Sequence, residues 1–150
     1  MPATPTVTRG ENYAHVSPGP PGLLDRFVYE APGVGRVPGK LFFKAHAGGT
    51  GAEVSLNVLP AGAGVPFLHR HEGNDEWYLF SGGAGRFYAD GEVFEVGPGD
   101  AVRLDPAAAR SLKSVGPEPL TYWCVQVPAA ADAGAEIADG RPVEGSPPWA

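Results

Sequence analysis

His69 and His71 are separated only by Arg70, in the stretch "PFLHRHEGNDEWYLF". Along an extended strand, residues i and i+2 project to the same side. The two imidazoles therefore aim into one space, with Phe67 on their face and Arg70 on the other. Residues 72–75 separate His71 from Glu76, enough for a tight loop that brings the chain back alongside. A carboxylate at the start of the returning strand can then meet both imidazoles. Two neutral imidazoles and one carboxylate suit Fe²⁺, Mn²⁺, Ni²⁺, Zn²⁺ or Co²⁺ and leave positions open for water or substrate. Taken alone, His-x-His fits equally well a pair of strand histidines on a solvated face. The carboxylate, the aromatic strand and the "SGGAG" turn that follow weigh toward the metal.

The elements that must position these groups are strands. Period-two alternation recurs, and no stripe of period 3.6 persists. In "EVSLNVL", Val54, Leu56 and Val58 share one face while Glu53, Ser55 and Asn57 share the other, as in a half-buried strand. Further candidates lie at 26–30, at 40–46 and at 76–80, where "EWYLF" is aromatic on both faces, as a strand covered on both sides would be. In "RFYADGEVFEV", Asp90-Gly91 signals a type I′ turn that pairs Phe87 with Phe94 and Arg86 with Glu95. "AVRLD", "RSLKSV" and "LTYWCVQV" supply later strands. "AAADAGAEIADG" is a candidate short helix after them. Eight or more short strands with Gly/Pro turns indicate a sandwich or closed barrel.

A length of 150 residues with 43% apolar and 19% charged residues predicts one packed domain. Glycine (22) and proline (17) crowd the ends, so residues 1–22 read as an arm, 23–128 as the barrel and 129–150 as a tail. The net charge of −6 argues against nucleic acid or an anionic membrane as partner. Neither a long apolar run nor a secretory leader is apparent. One cysteine, Cys124, sits among apolar neighbours, reads as a buried thiol and fits a reducing cytoplasm.

Together the His-x-His, Glu and turn motifs resemble the cupin superfamily. The family's first motif, a Gly, His-x-His, Glu and a second Gly, matches at His69, His71, Glu76 and Gly83, although Ala63 holds the place of the leading Gly. "DGEVFEVGPGD" resembles the start of the second motif. Where that motif carries a fourth metal ligand, a His, this chain has Arg110, and Ser114 stands where it has an Asn. The resemblance spans roughly residues 38–128 and implies an all-β double-stranded β-helix, a jelly-roll barrel that is often a homodimer.

Arg110 leaves three readings open. It could bind an anionic group of a ligand beside a metal held by His69, His71 and Glu76. It could pair with Glu76 and replace the metal, or it could reach the barrel mouth and only pack there. Arginine itself donates no electron pair to a metal. Strand parity places Tyr78 and Phe80 on the Glu76 face, with Tyr78 a candidate hydrogen-bond donor to the site. Gln126 is a polar residue in an apolar strand and a candidate for the pocket. Glu72 and Asp75 read as loop solvation, His15 and His46 as structural or surface residues. Nucleophile-elbow, P-loop and dinucleotide motifs are lacking. The expectation is a small cytoplasmic barrel holding one divalent ion (Fe, Mn, Ni or Zn). It would bind, and as an oxygenase, isomerase or cyclase transform, a small oxygenated anionic metabolite contacted by Arg110, Tyr78 and Gln126. The rival is a non-enzymatic binding module in which Arg110 takes the anion without metal.

Overall fold

In the computed structural model, which describes residues 3–129 and 140–150, the alternating segments form fourteen strands. β1 (Thr6–Arg9) and β2 (Ala14–Ser17) make a hairpin, followed by a 3-10 turn at Pro21–Arg26. A second hairpin, β3 (Val28–Ala31) and β4 (Gly35–Pro38), leads to β5 (Lys40–Phe42), a one-turn helix α1 (Lys44–Ala47) and β6 (Glu53–Leu59). Then come β7 (Leu68–Arg70), β8 (Asn74–Gly82), β9 (Ala84–Ala89), β10 (Glu92–Val96), β11 (Ala101–Leu104), β12 (Arg110–Val115) and β13 (Leu120–Pro128). β14 (Arg141–Val143) follows the undescribed segment. The candidate helix at 129–140 lies almost wholly outside the described residues. No described helix is long and apolar enough to cross a membrane.

Two five-stranded antiparallel sheets, β10-β9-β12-β7-β14 and β11-β8-β13-β6-β5, form the body. Their inner faces meet in one core, with Phe87 and Leu112 from the first sheet against Tyr78, Phe80, Tyr122 and Leu120 from the second. Phe87 and Leu120 are fully buried, each contributing about 1.5–3 kcal/mol of apolar burial. This is the expected all-β double-stranded β-helix. The Asp90-Gly91 turn takes positive φ at both residues and sets the expected register, Phe87 opposite Phe94 and Arg86 opposite Glu95.

Three elements depart from the sequence pattern. The polar face of β6 is not solvated: Glu53, Ser55 and Asn57 are buried. Leu24 and Phe27 of the N-terminal segment pack with Leu41 and Leu56 on the opposite face of that sheet as a second core. The polar row therefore turns into the barrel. The strand expected at 40–46 stops at Phe42, because Lys44–Ala47 coil into a helical turn that Gly48 ends at φ 73°. On β8, Trp77 and Leu79 face outward and are each 39% exposed, so the strand is covered on one face and not on both.

Candidate metal centre

β7 is held on one side by Arg110 of β12 and on the other by β14, with Pro142 opposite His69. His71 follows directly, its backbone N–H bonded to Pro106 O at 2.9 Å. The chain turns at 72–73 and enters β8, where Glu76 lies in register with Gln126 of β13 and Leu104 of β11. The ends of this loop are tied down. Glu72 pairs with Arg141 at 2.9 Å and Asp75 with Arg103 at 2.8 Å; the two acids expected only to solvate the loop are ion-paired. Asn74, fully buried, donates to Gln126 Oε1 at 3.3 Å.

The result is a convergent triad. His71 Nε2 lies 3.2 Å from Glu76 Oε2 and His69 Nε2 3.9 Å from Glu76 Oε1. One donor atom from each residue lies within 4.8 Å of the other two. The imidazole planes stand nearly perpendicular, at 77°, with centroids 5.4 Å apart, so the two rings approach from different directions.

Electrostatics favour the ligating form of His69 and Glu76. Burial, assisted by the Arg110 charge, pulls His69 down to about 4 against the opposing pull of Glu76. Its ring is neutral at pH 7 with a lone pair available. Burial alone would raise the Glu76 carboxyl. The contact with His71, helped by positive charge nearby that includes Arg110, outweighs it and holds the group well below the usual carboxylate range. Two buried atoms of the set, His69 Nδ1 and Glu76 Oε1, have no hydrogen-bond partner, a costly state for an apoprotein. The neutral His69 imidazole and an ionised Glu76 carboxylate with an unpartnered Oε1, with the His71 ring beside them, fit a divalent ion.

The triad forms part of the wall of a cavity of about 280 Å³. Tyr29, Pro32 and Val37 from the β3–β4 hairpin, Phe42, Val65 and Phe67 supply much of its apolar lining. Tyr78 and Gln126 are among the residues that line this cavity. Burial pushes the Tyr78 hydroxyl well up, so it stays protonated as a donor. Phe80 packs in the core instead. His15 lies on β2 and His46 on α1, outside the cavity lining.

Arg110 is 0% exposed and does not line the cavity. Its Nη2 donates to Asp105 O at 3.0 Å, while Nε and Nη1 have no partner. Among the described residues no ion pair joins it to Glu76, and it does not reach the barrel mouth. Lys40, Asn57 and Arg141 are polar groups that sequence reasoning missed and that do line the cavity. The signal was the even spacing of Lys40 with Phe42 and of Asn57 with Ser55.

A two-sheet barrel with an inward-facing His-x-His and a following Glu defines a small jelly roll with a candidate metal site. Residues 55–126 match the family model described as the cupin domain. A cupin protein from Bacteroides fragilis is 39% identical, the match covering 67% of this chain and 85% of that one, with a TM-score of 0.59. The chain belongs to the cupin family. An uncharacterized conserved protein with a double-stranded β-helix domain from Klebsiella pneumoniae shares the fold, at 18% identity over 65% of this chain and 78% of that one, with a TM-score of 0.54. Uncharacterized protein MJ1618 of Methanocaldococcus jannaschii is 30% identical over 80 residues, which is 53% of this chain and only 63% of that protein.

Proposed function

We propose that this cupin holds one divalent metal ion through His69, His71 and Glu76 and binds a small oxygenated, anionic metabolite in the cavity before it. The observation that carries this reading is the convergence of three donors, the buried His71 and Glu76 and the half-buried His69, within 4.8 Å on the wall of a small-molecule cavity. When bound, the ion supplies Lewis-acid polarisation of a ligand carbonyl or hydroxyl. The chain's own groups do the rest. Apolar walls from the β3–β4 hairpin exclude water, which strengthens charge interactions inside. Tyr78 offers a protonated hydroxyl beside the triad. Arg110 contributes positive potential from behind, which favours an anion. Cys124, its thiol pushed up to about 12 by burial, is protonated and takes no nucleophilic part.

In a second reading Arg110 takes an anion without metal or catalysis; its two unpartnered guanidinium nitrogens favour this, while its full burial off the cavity lining weighs against it. Metal analysis of the purified protein separates the two. The metal reading expects a stoichiometric ion in the wild type, lost in His69→Ala and Glu76→Ala variants that remain folded. A metal-free wild type whose anion binding survives both substitutions overturns it.

A further inference from the structure

Lys40 is the anomaly of the cavity. It is half-buried on the inner face of β5, in a wall that is mostly apolar, and among the described residues it has no carboxylate partner. Its ammonium carries three N–H donors, of which one is used, in a 2.6 Å bond to Asn57 Oδ1. The Phe42 ring lies under it, 5.1 Å from centroid to Nζ. Asn57 is itself locked. Its Nδ2 donates to Ser55 O at 3.2 Å and Ser55 Oγ at 3.0 Å, so Oδ1 must point toward the lysine. The ammonium is thus aimed, with two donors left over and no counter-ion. A half-buried ammonium with donors to spare suits an anionic partner; the cavity it borders is where one would sit.

We propose that Lys40 is the ligand-carboxylate receptor of this cavity and that Asn57 is its positioning residue. The inference rests on the proposed function and assigns the group that selects its substrate class. Arg110 has no wall position from which to make this contact, whereas Lys40 has. A single ammonium suits a monovalent carboxylate better than a phosphate, which commonly draws several donors or a guanidinium fork. The placement also sets ligand length. Lys40 lies in register with Asn57, and Asn57 with Tyr122, while Glu76 lies in register with Gln126. Tyr122 and Gln126 are four residues apart on β13, about 13 Å of strand. The lysine stem shortens that span only in part, so the carboxylate and the oxygen facing the triad are several bonds apart.

The test is calorimetric titration of the full chain, Mn²⁺-loaded and metal-free, with oxalate, succinate, adipate, 1,4-butanediol and glycerol 3-phosphate. The expected result is tighter binding of succinate or adipate than of the diol, the phosphate or oxalate. Lys40→Met should weaken that binding about tenfold or more with metal content unchanged, and Lys40→Arg should restore part of it. Lys40→Gln, with thermal unfolding as a folding control, serves if the methionine variant is unstable. Equal dicarboxylate binding by wild type and Lys40→Met overturns the assignment, as does tighter binding of the diol or the phosphate. Loss of carboxylate binding in Lys40→Met of a wild type that holds no metal supports Lys40 while overturning the metal reading. Stoichiometric metal with carboxylate binding indifferent to Lys40 does the reverse.

Discussion

At the scale of single residues, the barrel interior is defined by groups whose ionisation burial has shifted. Cys124 ionises near 9 in an ordinary setting and only near 12 in the fold. The unfolded chain therefore sheds this proton first as pH rises. Folding stability should hold up to about pH 9 and fall from there toward 12, with Tyr78 and Tyr122, also raised by burial, adding in the same direction. Urea midpoints between pH 7 and 10.5 check this, with a shallower decline expected for Cys124→Ala. An equally steep decline in that variant would assign the effect to other groups. Arg110 offers a second test. It is a buried cation with one hydrogen bond, so Arg110→Met should leave the unfolding midpoint at or above the wild-type value. The same change should tighten Mn²⁺ binding, because a like charge is removed; a drop of several degrees, or weaker binding, would give Arg110 a different role. His69, His71 and Glu76 were legible in the sequence because i, i+2 parity and a tight turn between His71 and β8 are local geometry. Lys40 and Asn57 were not. Their meeting depends on the β5–β6 register and on which face of β6 the N-terminal segment covers, and neither is local.

At the scale of elements, turn chemistry carried most of the legible fold. Asp90-Gly91 predicted a hairpin down to its register, since a two-residue turn with positive φ admits few alternatives. The Gly83 turn between β8 and β9 is equally demanding. Its φ is 76°, and a Cβ there would lie 2.2 Å from Pro119 O. Gly83→Ala should cost about 2–4 kcal/mol, since a left-handed backbone and a backbone clash both oppose it, read as a lowered urea midpoint. A loss under about 0.5 kcal/mol, the range of ordinary surface substitutions, would show that the turn relaxes freely. The β6 pattern misled because alternation shows that two faces differ but not which one meets solvent. Here a second hydrophobic core on the outside of the sheet claims the apolar face, and the polar face is left to the cavity.

At the scale of the whole molecule, an acidic chain of net charge −6 encloses a site with two cations that have no acidic partner among the described residues: Lys40 on the wall and Arg110 behind the triad. That inversion of charge is the long-range argument for an anionic ligand. The last described segment closes the same site. β14 pairs with β7 beside His69, and Trp149 Nε1 donates to Val65 O at 3.1 Å. Removing residues 140–150 should lower the thermal midpoint and speed exchange of bound Mn²⁺ with added chelator. Unchanged exchange would show that the segment covers nothing that matters to the site. All of this turns on the triad. The most direct measurement is a titration of metal-stripped protein with Mn²⁺, following the free ion by electron paramagnetic resonance. The metal reading predicts one saturable site per chain that disappears in Glu76→Ala, whereas absence of saturable binding, or a site that survives that substitution, would contradict it.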